Sequence, residues 1–310
     1  MNPEYLLSSQ KPLLLDGGLS NVLEARGWDL NHKLWTAHLL DQHPEAIIRA
    51  HLDYLEAGAQ CITTASYQAS LPGLIAAGYS KESAIRLLEI STELAEAAVE
   101  KFMDTHAPEK RPLIAASVGP YGAYLADGSE YRGNYGVSAE VLFSFHRERI
   151  EVLAGTGADV LAVETIPSLP EAKVLATILL QVDKPAWISF SCRDEEHLND
   201  GATIAEAVSI FRDHPSVFAV GVNCTKPAYI SGIIRSIRHA GIEKHIVVYP
   251  NSGEAYNANT KTWLGLSEPL SFARMYREWH AQGADIIGGC CRIGPEQIKS
   301  VESLNHPTAS

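Results

Sequence analysis

Gly157-Ala158-Asp159-Val160-Leu161-Ala162-Val163-Glu164 (residues 157–164) reads as the close of one helix followed by a buried strand. Glycine at a helix end supplies the left-handed backbone conformation that terminates the helix. The next four residues are apolar without alternation, as in a strand covered on both faces, and a carboxylate follows them. Gly58-Ala59-Gln60 and Gly283-Ala284-Asp285 repeat the opening before two other apolar runs. Three uses of one helix-to-strand connection are the trace of a repeated βα unit.

Working outward from that stretch, eight β-rich runs appear, at residues 12–18, 61–67, 113–119, 160–166, 186–192, 217–224, 245–251 and 286–291. Helical patterns lie between them. Across 80–103, Ala84, Leu87, Leu88, Leu94, Ala95, Ala98, Val99 and Phe102 recur at spacings of three and four, which places them on one helix face. Ser80 is the expected N-cap, with Glu82 at the positive end of the dipole. Pro44 and Pro295 stand where first-turn prolines belong. Strands alternating with helices predict a parallel sheet, and eight units predict a single α/β domain over 1–310, a (β/α)8 TIM-type barrel. An open doubly wound sheet is the alternative, but the first strand lacks the Gly-x-Gly-x-x-Gly phosphate loop of that fold.

Composition narrows the function. Of 310 residues 46% are apolar and 20% charged, an ordinary globular mix. A formal charge of −12 repels nucleic-acid phosphates, and no run reaches the ~18 apolar residues of a membrane span. Residues 1–12 carry no basic stretch followed by an apolar run. The expectation is a cytoplasmic protein without nucleic-acid or membrane partners. Five cysteines are an odd number, which in a reducing compartment suggests metal or catalysis rather than a disulfide framework. Cys61, inside an apolar run, reads as a small buried hydrophobe.

Barrel active sites lie at the C-terminal ends of the strands. The connections there after the third and seventh runs are long, 119–137 and 251–267, a length that in a compact domain is usually functional. The sixth run ends in Cys224 and the eighth in Cys290-Cys291, so three thiols can converge near the barrel mouth. Three thiolates with one open position describe a soft, catalytic zinc site. None of the twelve histidines ends a predicted strand, unlike the ligands of histidine-rich zinc hydrolases. Cys192, near the end of the fifth run, is a rival ligand.

Asp16 and Glu164 end the first and fourth runs on the same rim. A carboxylate there is too costly to bury without a partner; that partner is either an internal donor or a substrate ammonium. Gly17 and Gly18 offer backbone N–H groups to a carboxylate, and together these groups suit an amino acid. The connection 119–137 carries Tyr121, Tyr124, Tyr131 and Tyr135 with Asp127 and Glu130. Tyrosines among acids either bind a cation or pack on one another.

Five segments, Leu15-Asp16-Gly17-Gly18, Thr64-Ala65-Ser66-Tyr67-Gln68, Gly221-Val222-Asn223-Cys224-Thr225, Tyr249-Pro250-Asn251-Ser252-Gly253-Glu254 and Gly288-Gly289-Cys290-Cys291-Arg292, carry a resemblance. The chain resembles the zinc-dependent, cobalamin-independent homocysteine S-methyltransferases along essentially its whole length. The resemblance implies zinc on Cys224, Cys290 and Cys291, with homocysteine sulfur as fourth ligand, and Asp16 and Glu164 on the substrate ammonium. Asn223, beside Cys224, is counted among the substrate-binding residues. The segment 119–131 is similar to members that use sulfonium donors, S-methylmethionine or S-adenosylmethionine, and S-methylmethionine is the expected donor, with Tyr121, Tyr124, Asp127 and Glu130 as its contacts. Ser20-Asn21 stands where the family often has Ala-Thr, and Ile293-Gly294 where threonine is frequent. Competing expectations are a methyltransferase for another thiol or a selenol such as selenohomocysteine, a non-catalytic zinc or redox-sensing barrel, and a barrel hydrolase.

Overall fold

The computed structural model describes residues 7, 11–30, 34–257, 262–264 and 271–305. Seven strands come first: β1 Leu13–Leu14, β2 Cys61–Thr63, β3 Leu113–Val118, β4 Val160–Ile166, β5 Ala186–Phe190, β6 Val217–Asn223 and β7 His245–Tyr249. A small antiparallel pair follows, β8 Ala255–Asn257 and β9 Thr262–Leu264, and then β10 Ile286–Ile287. The eight parallel strands run in the order β1-β10-β7-β6-β5-β4-β3-β2. A parallel bridge between Leu15 and Cys61 joins the two ends and closes the barrel. Among the described residues no helix is long and apolar enough to cross a membrane.

Strand periodicity explains the two layers of core. Successive side chains point to opposite faces, so Leu13, Leu15, Cys61, Leu113, Ala115, Val160, Ala162, Trp187, Ala219, Val247 and Ile286 fill the barrel interior. Their neighbours Leu14, Ile62, Ile114, Ala116, Leu161, Val163, Ile188, Val220, Val248 and Ile287 pack outward against the helices. Followed toward the C-terminal ends, the inward positions turn polar: Thr63, Ser117, Glu164, Ser189, Asn223 and the Tyr249 hydroxyl. That layer becomes the floor of the site.

The helix over 80–103 forms as Lys81–His106, with the Ser80 side chain accepting from the Ser83 N–H. Pro44 and Pro295 open helices. Gly58 and Gly283 take the left-handed conformation, with φ of 99° and 104°. Gly157 does not: the helix before it ends at Ala154, and a Cβ at position 157 would stand 1.8 Å from the Glu96 carboxylate. That carboxylate ends a flexible, half-buried side chain that can move aside, so nothing in the structure requires glycine at 157 as it does at 58 and 283.

The third residue of each echo has a shared role. Gln60, Asp159 and Asp285 send their backbone N–H to the carbonyls of Leu14, Ile114 and Ile246. Their side-chain oxygens accept the N–H of those same three residues, at 3.0, 2.8 and 3.0 Å. Each echo is thus a two-point clamp on the neighbouring strand at the N-terminal end of the barrel.

Most strands stop short of the predicted runs, β1 and β10 after two residues. The residues beyond them bend into the rim. The connection 119–137 contains the helix Tyr121–Leu125 and the 3-10 turn Ser129–Tyr131. Of the connection 251–267, residues 258–261 and 265–267 lie outside the described residues, as do 1–6, 8–10 and 306–310.

Candidate active site

Cys224 follows the last residue of β6 with a φ of 49°, a left-handed turn that a non-glycine residue adopts at a cost. Its N–H donates to the Tyr249 carbonyl. Cys290 and Cys291 follow β10, where the Cys290 N–H donates to the Pro250 carbonyl. These turns bring the Cys224 and Cys291 sulfurs to 3.6 Å and those of Cys290 and Cys291 to 3.9 Å. All three sulfurs lie within 4.8 Å of one another, a cluster able to hold one metal ion. Hydrogen bonds from Cys290 and Cys291 hold the Cys224 thiol well below its ordinary range, and the close sulfurs push Cys290 and Cys291 up. Cys192 packs between barrel and helices, where burial pushes its thiol up. Cys61 is fully buried in the interior.

A network fixes the metal-site turns from behind. The Asn223 amide accepts from the Thr165 N–H at 2.7 Å and from the Ser189 hydroxyl at 2.8 Å, and donates to Thr165 Oγ1 at 2.8 Å. Its Nδ2 also faces the Cys290 sulfur at 3.9 Å. Asn223 is therefore engaged inside the barrel and does not line the cavity. On the other side, the Ile293 carbonyl accepts three bonds of 3.0 Å, from the Gly18 N–H, Asn21 Nδ2 and the Tyr54 hydroxyl. The Arg292 N–H donates to Asn21 Oδ1 at 3.1 Å. The two departures from the family pattern, at Asn21 and Ile293, thus meet each other and brace the cysteine turn.

Above the sulfurs opens a cavity of about 380 Å³, lined among others by Asp16, Gly17, Gly18, Thr63, Ser117, Glu164, Tyr249 and the three cysteines. Asp16 is 2% exposed and accepts from the Thr63 N–H at 2.7 Å and the Thr63 hydroxyl at 3.0 Å. Burial pushes its carboxyl up to about 8 against the pull of those bonds. Glu164 accepts from the Ser117 hydroxyl, and burial carries it up to about 7 although Ser117 and Tyr249 bond to it. Both acids line the same cavity, and an opposite charge bound there would favour their ionised forms. Gly18 does not offer a free N–H to a substrate, since Ile293 takes it. Gly17 lines the cavity beside it.

The outer wall comes from the 119–137 connection and the first helix region. Glu130 and Tyr131 line it with Trp28, Tyr67, Glu24 and Asp29. Burial pushes Glu130 up to about 7, and its Oε2 has no hydrogen-bond partner. The Tyr131 hydroxyl stands 3.4 Å from the Cys224 sulfur. Tyr121, Tyr124 and Asp127 do not line this cavity. Tyr121 and Tyr124 pack on each other and on Phe145, with centroids 5.0–5.6 Å apart. Asp127 is exposed, capping Ser129 and pairing with Arg132 at 3.1 Å. Thr63, Ser117 and Trp28 were not picked out from the sequence, and Tyr67 and Tyr249 stood in family-like segments without an assigned role; Thr63, Ser117 and Tyr249 all point inward from their strands.

Comparison with known proteins bears on this geometry. Residues 13–304 match the family model described as homocysteine S-methyltransferase. The chain is 45% identical over 306 residues to homocysteine S-methyltransferase YbgG of Bacillus subtilis, covering 97% of each chain. It is 44% identical over 300 residues to homocysteine S-methyltransferase of Escherichia coli, covering 96% of each. The metallated crystal form of the Escherichia coli homocysteine methyltransferase MmuM superposes with a TM-score of 0.87 at 41% identity, over 97% of this chain and 98% of that one. With its matched length and its rim of cysteines, the chain belongs to the homocysteine S-methyltransferase family.

Proposed function

We propose that this protein is a cytoplasmic, single-domain enzyme that moves a methyl group from a sulfonium donor to the thiol of homocysteine with zinc bound at Cys224, Cys290 and Cys291. S-methylmethionine is the proposed donor, with S-adenosylmethionine the second candidate. The carrying observation is that three sulfurs and two buried carboxyls face one cavity. Ligands of a tetrahedral zinc at ~2.3 Å stand about 3.8 Å apart, and the two sulfur separations of 3.6 and 3.9 Å bracket that value. Cys224, Cys290 and Cys291 would hold the ion, which would supply the Lewis acidity that keeps a substrate thiol deprotonated at neutral pH.

The chain's own residues supply the rest. Asp16 and Glu164 grip the homocysteine ammonium and so orient its side chain toward the cysteines. The Gly17 N–H lies beside them for the carboxylate. Trp28, Tyr67 and Tyr131 line the cavity as aromatic partners for a sulfonium cation, and Glu130 adds a carboxyl beside them. Transfer to a thiolate quenches both charges, so a lining that excludes water favours the step. The S–CH3 bond of the donor breaks as the new one forms. S-methylmethionine and homocysteine yield two methionines and a proton; S-adenosylmethionine yields one methionine, S-adenosylhomocysteine and a proton.

The test is methionine formation by the zinc-loaded protein from homocysteine, with S-methylmethionine, S-adenosylmethionine and betaine as separate donors and a chelated control. Chelator-sensitive turnover with a sulfonium and not with betaine is the expected result. Absence of turnover with every donor, at one zinc per chain, would sink the reading and move the assignment to another thiol or selenol acceptor.

A further inference from the structure

Behind the donor wall lies a charged cluster that no step above uses. His146, Glu171 and Arg149 have side chains at most 1% exposed, on the helices Ala139–Ala154 and Leu169–Leu179. The Arg149 guanidinium donates to His146 Nδ1 at 3.0 Å. His146 Nε2 stands 2.8 Å from Glu171 Oε1. Because a carboxylate only accepts and a guanidinium only donates, the imidazole carries its proton on Nε2 and donates that N–H to Glu171. Such a network orients each member by the next.

Among the described residues, the cluster's other side-chain hydrogen bonds go to one place, the 119–137 connection. Arg149 donates to the Gly119 carbonyl at 2.6 Å. Glu171 Oε1 accepts the Tyr121 N–H at 2.6 Å, and Glu171 Oε2 accepts the Tyr135 hydroxyl at 3.0 Å. The guanidinium also sits over the Phe145 ring, 4.9 Å from its centroid, against which Tyr121 and Tyr124 pack. The start and the end of the connection are therefore tied to a single carboxylate, and the segment between them is the one that presents Glu130 and Tyr131 to the cavity.

We infer that Glu171, oriented by His146 and Arg149, is a positioning residue for the methyl donor: it pins the 119–137 connection so that Glu130 and Tyr131 form the donor half of the pocket. The inference rests on the donor reading above. A segment held in its binding conformation only part of the time binds with affinity reduced by that fraction, so loosening this anchor raises the donor KM. It disturbs the homocysteine half far less, because Asp16 and Glu164 are held by Thr63 and Ser117 instead.

Three variants test it: Glu171→Ala, Glu171→Gln, which keeps an acceptor, and Tyr135→Phe, which removes one hydroxyl. The holoenzyme with Glu171→Ala should show a donor KM raised about tenfold or more, as expected for losing several hydrogen bonds. Homocysteine KM should rise far less than donor KM, since Tyr131 reaches the Cys224 sulfur but Asp16 and Glu164 are held by Thr63 and Ser117, and Glu171→Gln should recover most of the effect. Tyr135→Phe, expected to fold whatever Glu171→Ala does, should raise donor KM about 2- to 10-fold. Hydrogen exchange across 119–131 should be faster in Tyr135→Phe, a readout that needs no donor. Unchanged exchange and donor KM in a folded variant overturns the inference, as does a parallel rise in both KM values. Lack of wild-type turnover in the same assay falls on the donor reading, while exchange still decides the anchor.

Discussion

Asp16 and Glu164 carry the pH behaviour of the site. Their carboxyls stand at about 8 and about 7 because burial disfavours the charged form, yet binding an ammonium requires them ionised. Below neutrality the site must first lose protons; above about pH 8 it need not. Homocysteine kcat/KM should therefore climb between pH 6 and 8, by up to about tenfold per unit and per acid, and then level. Asp16→Asn should flatten the upper part of that rise and lower kcat/KM about tenfold or more at pH 8, with zinc content unchanged; a loss of zinc instead would make Asp16 a support of the metal turn. Cys224→Ala should abolish turnover and most metal binding, because two thiolates remain where three held the ion. Full occupancy measured in that variant would mean another ligand is used. That the three cysteines and both acids meet at one cavity was legible in the sequence, since each stands at the end of a predicted strand. Tyr121, Tyr124 and Asp127 were not separable from Glu130 by composition, because which tyrosines of a loop turn inward is set by Phe145, Gln68 and Glu171 from distant elements.

At the scale of elements, the Gly-Ala-x echo identified the repeated unit but concealed its mechanics. The clamp formed by Gln60, Asp159 and Asp285 reaches a neighbouring strand, at sequence separations of 46, 45 and 39 residues, and no local pattern reports that. Asp159 is the clearest case, because it also pairs with Arg111 at 2.8 Å. Asp159→Ala leaves the Ile114 N–H without its side-chain acceptor and should cost about 1–3 kcal/mol. That corresponds to a fall of about 2–5 °C in Tm for a chain of this size. Asp159→Asn keeps the acceptor and should recover most of it. Because the clamp lies at the face of the barrel opposite the cysteines, kcat and both KM values should stay at wild type in either variant; a kinetic change would break this division between a stability face and a catalytic face. The ends of the strands were the least legible part. Thr165, Cys224 and Arg292 all have positive φ, at 61°, 49° and 68°, and these bends follow from hydrogen bonds to Asn223, Tyr249 and Asn21, not from residue type.

The closed barrel is paired most thinly at β1, next to the strand β10 that leads into two of the three cysteines. β1 and β10 pair over two residues, and one bridge at Leu15 and Cys61 joins β1 to β2. The cysteines stand at the ends of β6 and β10, with β7 between them, so one ion held by all three would tie together strands that the ladder connects only through an intermediate. The Ile293 carbonyl continues the tie to Gly18, Asn21 and Tyr54. An ion that binds only the folded rim stabilises it by mass action, about 2.7 kcal/mol at one hundred times its dissociation constant. Chelation should therefore lower Tm by several degrees, and added zinc should restore it. The same chelator should leave Tm of Cys224→Ala unchanged, since that variant has little metal to lose. A wild-type Tm insensitive to chelation, in protein whose metal has demonstrably left, would mean that the Ile293 carbonyl hub and the Asn223 network hold the rim unaided. The ion would then act on substrate alone, and the rim would owe its strength to hydrogen bonds already present in the chain.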